Sequence, residues 1–180
     1  IVYEDRFAWI GMVLVDPTHD EGLAYMIDGK PKLISLTTRQ ELQQFMQTLM
    51  EKPAPTRVIP EKVSRPYDRL PLDLRTVRLW AEQRYALDTD RNHTPYIGEG
   101  QRQQFTALRL QRLERPHPLG DLPLVVITNG VNKQRAQLQA LSTSGQLVVA
   151  DDSCHEVHVC SPDLVIRGIR SVVDAVRNAR

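Results

Sequence analysis

The last sixty residues, from Leu122 to Arg180, constrain this chain more than any other stretch. Leu122–Thr128 (LPLVVIT) is an unbroken apolar run rich in β-branched residues. Such a run suits a strand covered on both faces in a parallel sheet. A short helical pattern follows from Lys133 to Leu141, and Gln146–Ala150 (QLVVA) supplies a second buried strand. That strand runs into a polar stretch, Asp151-Asp152-Ser153-Cys154-His155. Pro162 then opens an amphipathic helix with Leu164, Val165, Ile169, Val172, Val173 and Val176 on one face. Strand, helix, strand, helix is the order of a parallel α/β sheet, whose sites lie beyond the carboxyl ends of the strands. His155 lies at such an end and is the first residue to suspect of chemistry.

The start of the chain carries one more piece of the same sheet. Residues 1–10 read as the end of a helix, Gly11 breaks it, and Met12–Val15 (MVLV) forms a third short strand closed by Asp16-Pro17. Three such strands, two of them at the far end, suggest an incomplete sheet, because a buried parallel strand needs neighbours on both sides.

Between Thr18 and Gly120 the texture changes. Prolines are dense (Pro53, Pro55, Pro60, Pro66, Pro71) and helical segments alternate with loops. Thr38–Glu51 repeats Leu42, Phe45, Met46 and Leu49 at helical spacing, with Thr37 or Thr38 as amino-terminal cap and Glu41 following. Residues 53–71 read as extended or irregular, since proline disfavours helix in the residue before it. Leu72–Ala86 and Glu99–Glu114 are two further helices, and Arg115–Gly120 leads back into the sheet. A helical insertion between sheet strands has the layout of a lid over a pocket.

Composition removes several classes of function. The chain has 180 residues, enough for one domain with a subordinate lobe, and a formal net charge of +1. No basic stripe with interleaved aromatics points to nucleic acid. No apolar stretch approaches the ~20 residues that span a bilayer, and the start has no signal-peptide layout. Two cysteines make no disulfide scaffold, so a reducing, cytoplasmic setting is the expectation and a Cys154–Cys160 disulfide is not. Cys154, His155, His158 and Cys160 form a C-H-x-x-H-x-C cluster. All four lie within seven residues, with no distant pair to complete a structural zinc site. No metal or cofactor is expected.

Taken together, Gly11–His19 (GMVLVDPTH), Leu119–Thr128 (LGDLPLVVIT) and Leu141–Arg170, with Ser153-Cys154-His155 ahead of Ser161-Pro162-Asp163-Leu164-Val165, resemble the carboxyl-terminal half of an α/β-hydrolase. The resemblance implies an α/β fold with a partial parallel sheet of the α/β-hydrolase type and a helical cap insertion. Residues 1–17 and 119–180 would form the core and 18–118 the cap. It implies His155 as general base, with His158 packing or supporting it. The orienting acid usually follows the strand matched by Leu122–Thr128, but here that turn reads Asn129-Gly130-Val131-Asn132. The carboxylate of Asp16, after the earlier strand, takes the role by elimination, with Asp20 second. The residue before the histidine is usually Gly and here is Cys154.

No G-x-S-x-G elbow or oxyanion loop of the family occurs in these 180 residues. The implied activity is acyl ester or amide hydrolysis by a Ser-His-Asp triad whose serine is not in this chain. The implied substrate is a small apolar acyl or alkyl group, lined by Phe45, Met46, Leu49, Trp80 and Phe105. A missing amino-terminal half, or a second copy in a homo-oligomer, is the expected macromolecular partner. An aspartate nucleophile would suit a haloalkane dehalogenase-like reaction instead. The reading from a different class is a non-catalytic, truncated or decayed hydrolase fold that acts as a binding module.

Overall fold

A computed structural model describes residues 10–19, 21–22, 24–27, 29–51, 58–87, 98–130, 133–150 and 154–179. The fold is mixed α/β. Met12–Val15 (β1), Leu124–Thr128 (β4) and Gly145–Val149 (β5) form a parallel sheet in the order β1-β4-β5. Met12 to Val15 pair with Leu124 to Ile127, and Leu124 to Thr128 pair with Gly145 to Val149. The strand that reads as most apolar is therefore the central one, and all five of its residues are buried.

Alternation along β4 sends side chains to two cores. Val125 and Ile127 meet Val13, Val15 and Val148 under Leu164, Val165, Val172 and Val176 of the last helix, Pro162–Asn178 (α6), and under Val157. Leu124 and Val126 meet Met12, Leu14 and Leu147 on the other face, covered by Leu138, Leu141 and Leu119. Leu138 belongs to the short helix Lys133–Gln139 (α4). Full burial of side chains such as Val126 and Ile127 stabilises by roughly 2 kcal/mol each. Of the face read for α6, Ile169 and Val173 remain partly in solvent.

The segment between β1 and β4 is not purely helical. Ala24–Ile27 (β2) and Lys30–Leu33 (β3) form an antiparallel hairpin turning at Gly29 (φ 73°), followed by a 3₁₀ turn at Ile34–Leu36. Three helices follow: Arg39–Met50 (α1), Leu72–Leu87 (α2) and Glu99–Glu114 (α3). Tyr25, Ile34 and Leu42 form a separate small core with Ile27, Phe45, Met46 and Phe105, in which the rings of Tyr25 and Phe45 stack at 4.7 Å. This changes one expectation. Phe45, Met46 and Phe105 are consumed in the insertion's own core, Trp80 is 62% exposed, and the side chain of Leu49 lies outside the described residues. The helix expected over residues 1–10 lies almost wholly outside them as well.

Candidate active site

The site forms at the carboxyl ends of the parallel strands. Asp16 immediately follows β1, and its amide donates to the carbonyl of Ile127 at 2.7 Å, so the ladder with β4 continues one step past the strand. Its φ of 43° is left-handed, a conformation that aspartate tolerates better than most residues. The turn directs the carboxylate inward, where its side chain is only 5% exposed.

Two groups meet that carboxylate. Oδ1 accepts a hydrogen bond from Nη2 of Arg135 on α4 at 2.7 Å, while Nη1 of the same guanidinium donates to the carbonyl of Pro17. Oδ2 faces Nδ1 of His155. Oδ2 is buried and accepts no hydrogen bond of regular geometry among the described residues, which leaves the imidazole nitrogen as the polar atom that faces it. The two residues chosen from the sequence, 16 and 155, are thus side by side across the tip of β4. Asp20, the second choice for the acid, lies outside the described residues.

His155 sits on the loop after β5, and its side chain is 81% exposed. With Nδ1 turned to the carboxylate, Nε2 is left for chemistry. The following residue, Glu156, is fixed twice: its Oε1 accepts from the Tyr67 hydroxyl at 2.7 Å, and its backbone carbonyl accepts from the amides of Val159 and Cys160 at 2.8 and 3.0 Å. Burial of the Tyr67 hydroxyl and its bond to Glu156 raise the tyrosine's pKa above the ordinary value. The Arg78 guanidinium stacks over the Tyr67 ring at 3.8 Å, a cation–π contact. His158 is exposed, and its Nε2 lies 3.7 Å from Glu156 Oε2.

A cleft of about 590 Å³ opens against the imidazole, lined by Arg65, Pro66, Asp68, Arg69, His155 and Glu156 together with Cys154 and Cys160. Of the apolar residues expected to line a pocket, Phe45, Met46, Trp80 and Phe105 are not among them. The wall is instead the turn around the 3₁₀ segment Tyr67–Arg69, where Arg69 donates to the carbonyl of Cys160 at 3.4 Å.

The cysteines also depart from expectation. Cys154 and Cys160 are joined in a disulfide with Cα atoms 6.4 Å apart. Their sulfurs bond each other rather than face a common metal position, and among the described residues no group of three or more His, Cys, Asp and Glu side chains gathers to hold an ion. The short helix Val157–Cys160 (α5) carries one sulfur close to the other, which closes the distance the sequence leaves open.

Sequence reasoning missed Arg135 and Tyr67. Arg135 is one of several polar residues on a short helix and carries no local signal. Tyr67 lies in a proline-rich loop, 89 residues away from the Glu156 it meets.

Fold and site together define a mixed α/β protein with an aspartate–histidine pair above a three-stranded parallel sheet. Compared with known protein families, with curated proteins and with solved structures, the chain matches none. Among the described residues no helix is long and apolar enough to cross a membrane.

Proposed function

We propose that this chain carries the acid and the base of an α/β-hydrolase-type acyl hydrolase. One observation supports the reading above all: Asp16 and His155, chosen from the ends of two different strands, bring Oδ2 and Nδ1 face to face. In this mechanism Nδ1–H of His155 donates to Oδ2 of Asp16, which fixes the ring's tautomer and plane. Nε2 takes the proton of an attacking serine hydroxyl and returns it to the leaving alcohol or amine. The serine belongs to polypeptide outside these 180 residues.

The cleft beside His155 favours an ester or amide with some polar character. Its charged wall of Arg65, Asp68, Arg69 and Glu156 is a poor match for the unadorned alkyl group of the dehalogenase-like alternative, since burying such charges against apolar surface is costly. A cytoplasmic location has only the low cysteine count behind it. The Cys154–Cys160 bond favours a less reducing setting.

The test is covalent and kinetic. The 180 residues alone should not react with a fluorophosphonate probe. A longer product of the encoding reading frame that carries a G-x-S-x-G elbow should react, and should hydrolyse p-nitrophenyl esters. His155→Ala and Asp16→Ala in that product should each lower turnover on the order of a thousand-fold or more. Labelling of the 180 residues alone would overturn the assignment of the nucleophile. Full turnover in His155→Ala would overturn the reading itself and favour the non-catalytic binding module.

A further inference from the structure

We propose that Cys154–Cys160 is a redox-active disulfide, and that its reduction by a dithiol uncouples His155 from Asp16. The inference rests on the Asp16–His155 pair being the working pair of the site. Three observations carry it. The disulfide brackets the histidine, with one sulfur on the residue immediately before it and the other five residues after it. Both cysteines line the open cleft beside the imidazole, so a small reductant reaches the bond from solvent. The two sides of His155 are also held differently.

On its carboxyl side, Glu156 is fixed by Tyr67 and by the amides of Val159 and Cys160, and Val157 is fully buried. None of those contacts involves sulfur. On its amino side, the described tether of Cys154 is the disulfide. The imidazole is too exposed for packing to hold its direction. Its approach to Asp16 therefore depends on the backbone angles that the Cys154 tether fixes.

The exchange balances without any further reactant. A thiolate of the dithiol attacks one cysteine sulfur, the S–S bond breaks, and the other cysteine leaves as a thiolate that takes up a proton. The reductant's second thiol then displaces the first cysteine from the mixed disulfide. Two electrons and two protons pass to Cys154 and Cys160, and the reductant departs as its own disulfide.

The experiment uses the intact chain with 15N-labelled histidine and dithiothreitol as the dithiol. Alkylation and mass measurement count free thiols, and ring-nitrogen spectra above the histidine titration range report which nitrogen of His155 carries the proton. His155→Gln assigns the signals. The oxidised chain should show no free thiol and the Nδ1–H tautomer. Full reduction should give two thiols and loss of the Nδ1–H preference, with far-UV circular dichroism unchanged, and reoxidation should restore it. The Cys154→Ser/Cys160→Ser variant should behave as the reduced chain under all conditions.

An unchanged Nδ1–H tautomer after complete reduction would overturn the proposal, as would two free thiols in the chain before any reductant is added. Global unfolding on reduction would overturn it too, by making the bond structural. Absence of the Nδ1–H tautomer in both states would contradict the Asp16–His155 pair itself, and the two failures are thereby distinct.

Discussion

The carboxylate of Asp16 is gripped from two sides, and the grips differ in kind. Arg135 offers a permanent positive charge to Oδ1, and His155 turns its Nδ1 to Oδ2. A buried carboxylate without a counter-charge is expensive, so the guanidinium does more than orient the group. Arg135→Met should destabilise the chain by about 3 kcal/mol in urea unfolding. In the double variant Asp16→Asn/Arg135→Met most of that loss should be recovered, because no orphaned charge remains. Equal losses in the single and double variants would show that Arg135 contributes only packing. Asp16 and His155 were legible in the sequence because each closes a strand, and strand ends are where open α/β sheets build sites. Arg135 was not, because the sequence does not say which face of a short polar helix looks toward a loop more than a hundred residues earlier.

Among the elements, α1 shows how a local signal becomes a measurable pH dependence. Thr38 and Glu41 form a capping box: the Thr38 hydroxyl accepts from the Glu41 amide at 3.2 Å and the Glu41 carboxylate accepts from the Thr38 amide at 2.8 Å. The same carboxylate takes both its oxygens to within 2.7 Å of Lys32 Nζ on β3. The hydrogen bond from Lys32, then those from Thr38, lower the Glu41 pKa to about 2. The folded value lies below the unfolded one, so the contribution to stability is present above the usual glutamate range and is lost as pH falls toward 2. Glu41→Gln should flatten the part of the stability–pH curve between about 4 and 2. An unchanged slope in the variant would remove Glu41 as its source.

The β2–β3 hairpin is the element the sequence reading overlooked, although Asp28-Gly29 between two short runs is a known turn signal. The runs are short and interrupted by charges and by Pro31, so their period of two is weak beside the helical pattern that follows. Another constraint is invisible in any periodicity. A Cβ on Gly145 at the start of β5 would sit 2.0 Å from the Gln139 carbonyl oxygen. Gly145→Ala should therefore cost about 2 kcal/mol or more, read as a lowered urea midpoint. A midpoint equal to wild type would mean the α4–β5 turn is free to widen.

For the molecule as a whole, the order β1-β4-β5 explains why the chain's two ends read alike and its middle does not. The most apolar strand is shared between two edge strands, and the long insertion leaves the sheet after β1 and returns before β4. The insertion is tied to the core by polar contacts: Arg69 donates to the carbonyl of Cys160 at 3.4 Å, and the Tyr67 hydroxyl donates to Glu156 at 2.7 Å. Which contacts would join them was beyond sequence reasoning, since they link positions 91 and 89 residues apart in stretches of similar polar residues. Among the described residues β1 pairs on one side alone, and an open strand edge invites association. Light scattering of the isolated chain should show a mass that rises with concentration. A strictly monomeric mass up to high concentration would mean that this edge is covered.

The central claim is that the carboxylate of residue 16 sets the proton on the ring of residue 155. Ring-nitrogen spectra of the 15N-histidine chain and of Asp16→Ala, taken under oxidising conditions, test it most directly. His155 should carry Nδ1–H in the parent chain and the ordinary Nε2–H tautomer in the variant. The same tautomer in both would contradict it.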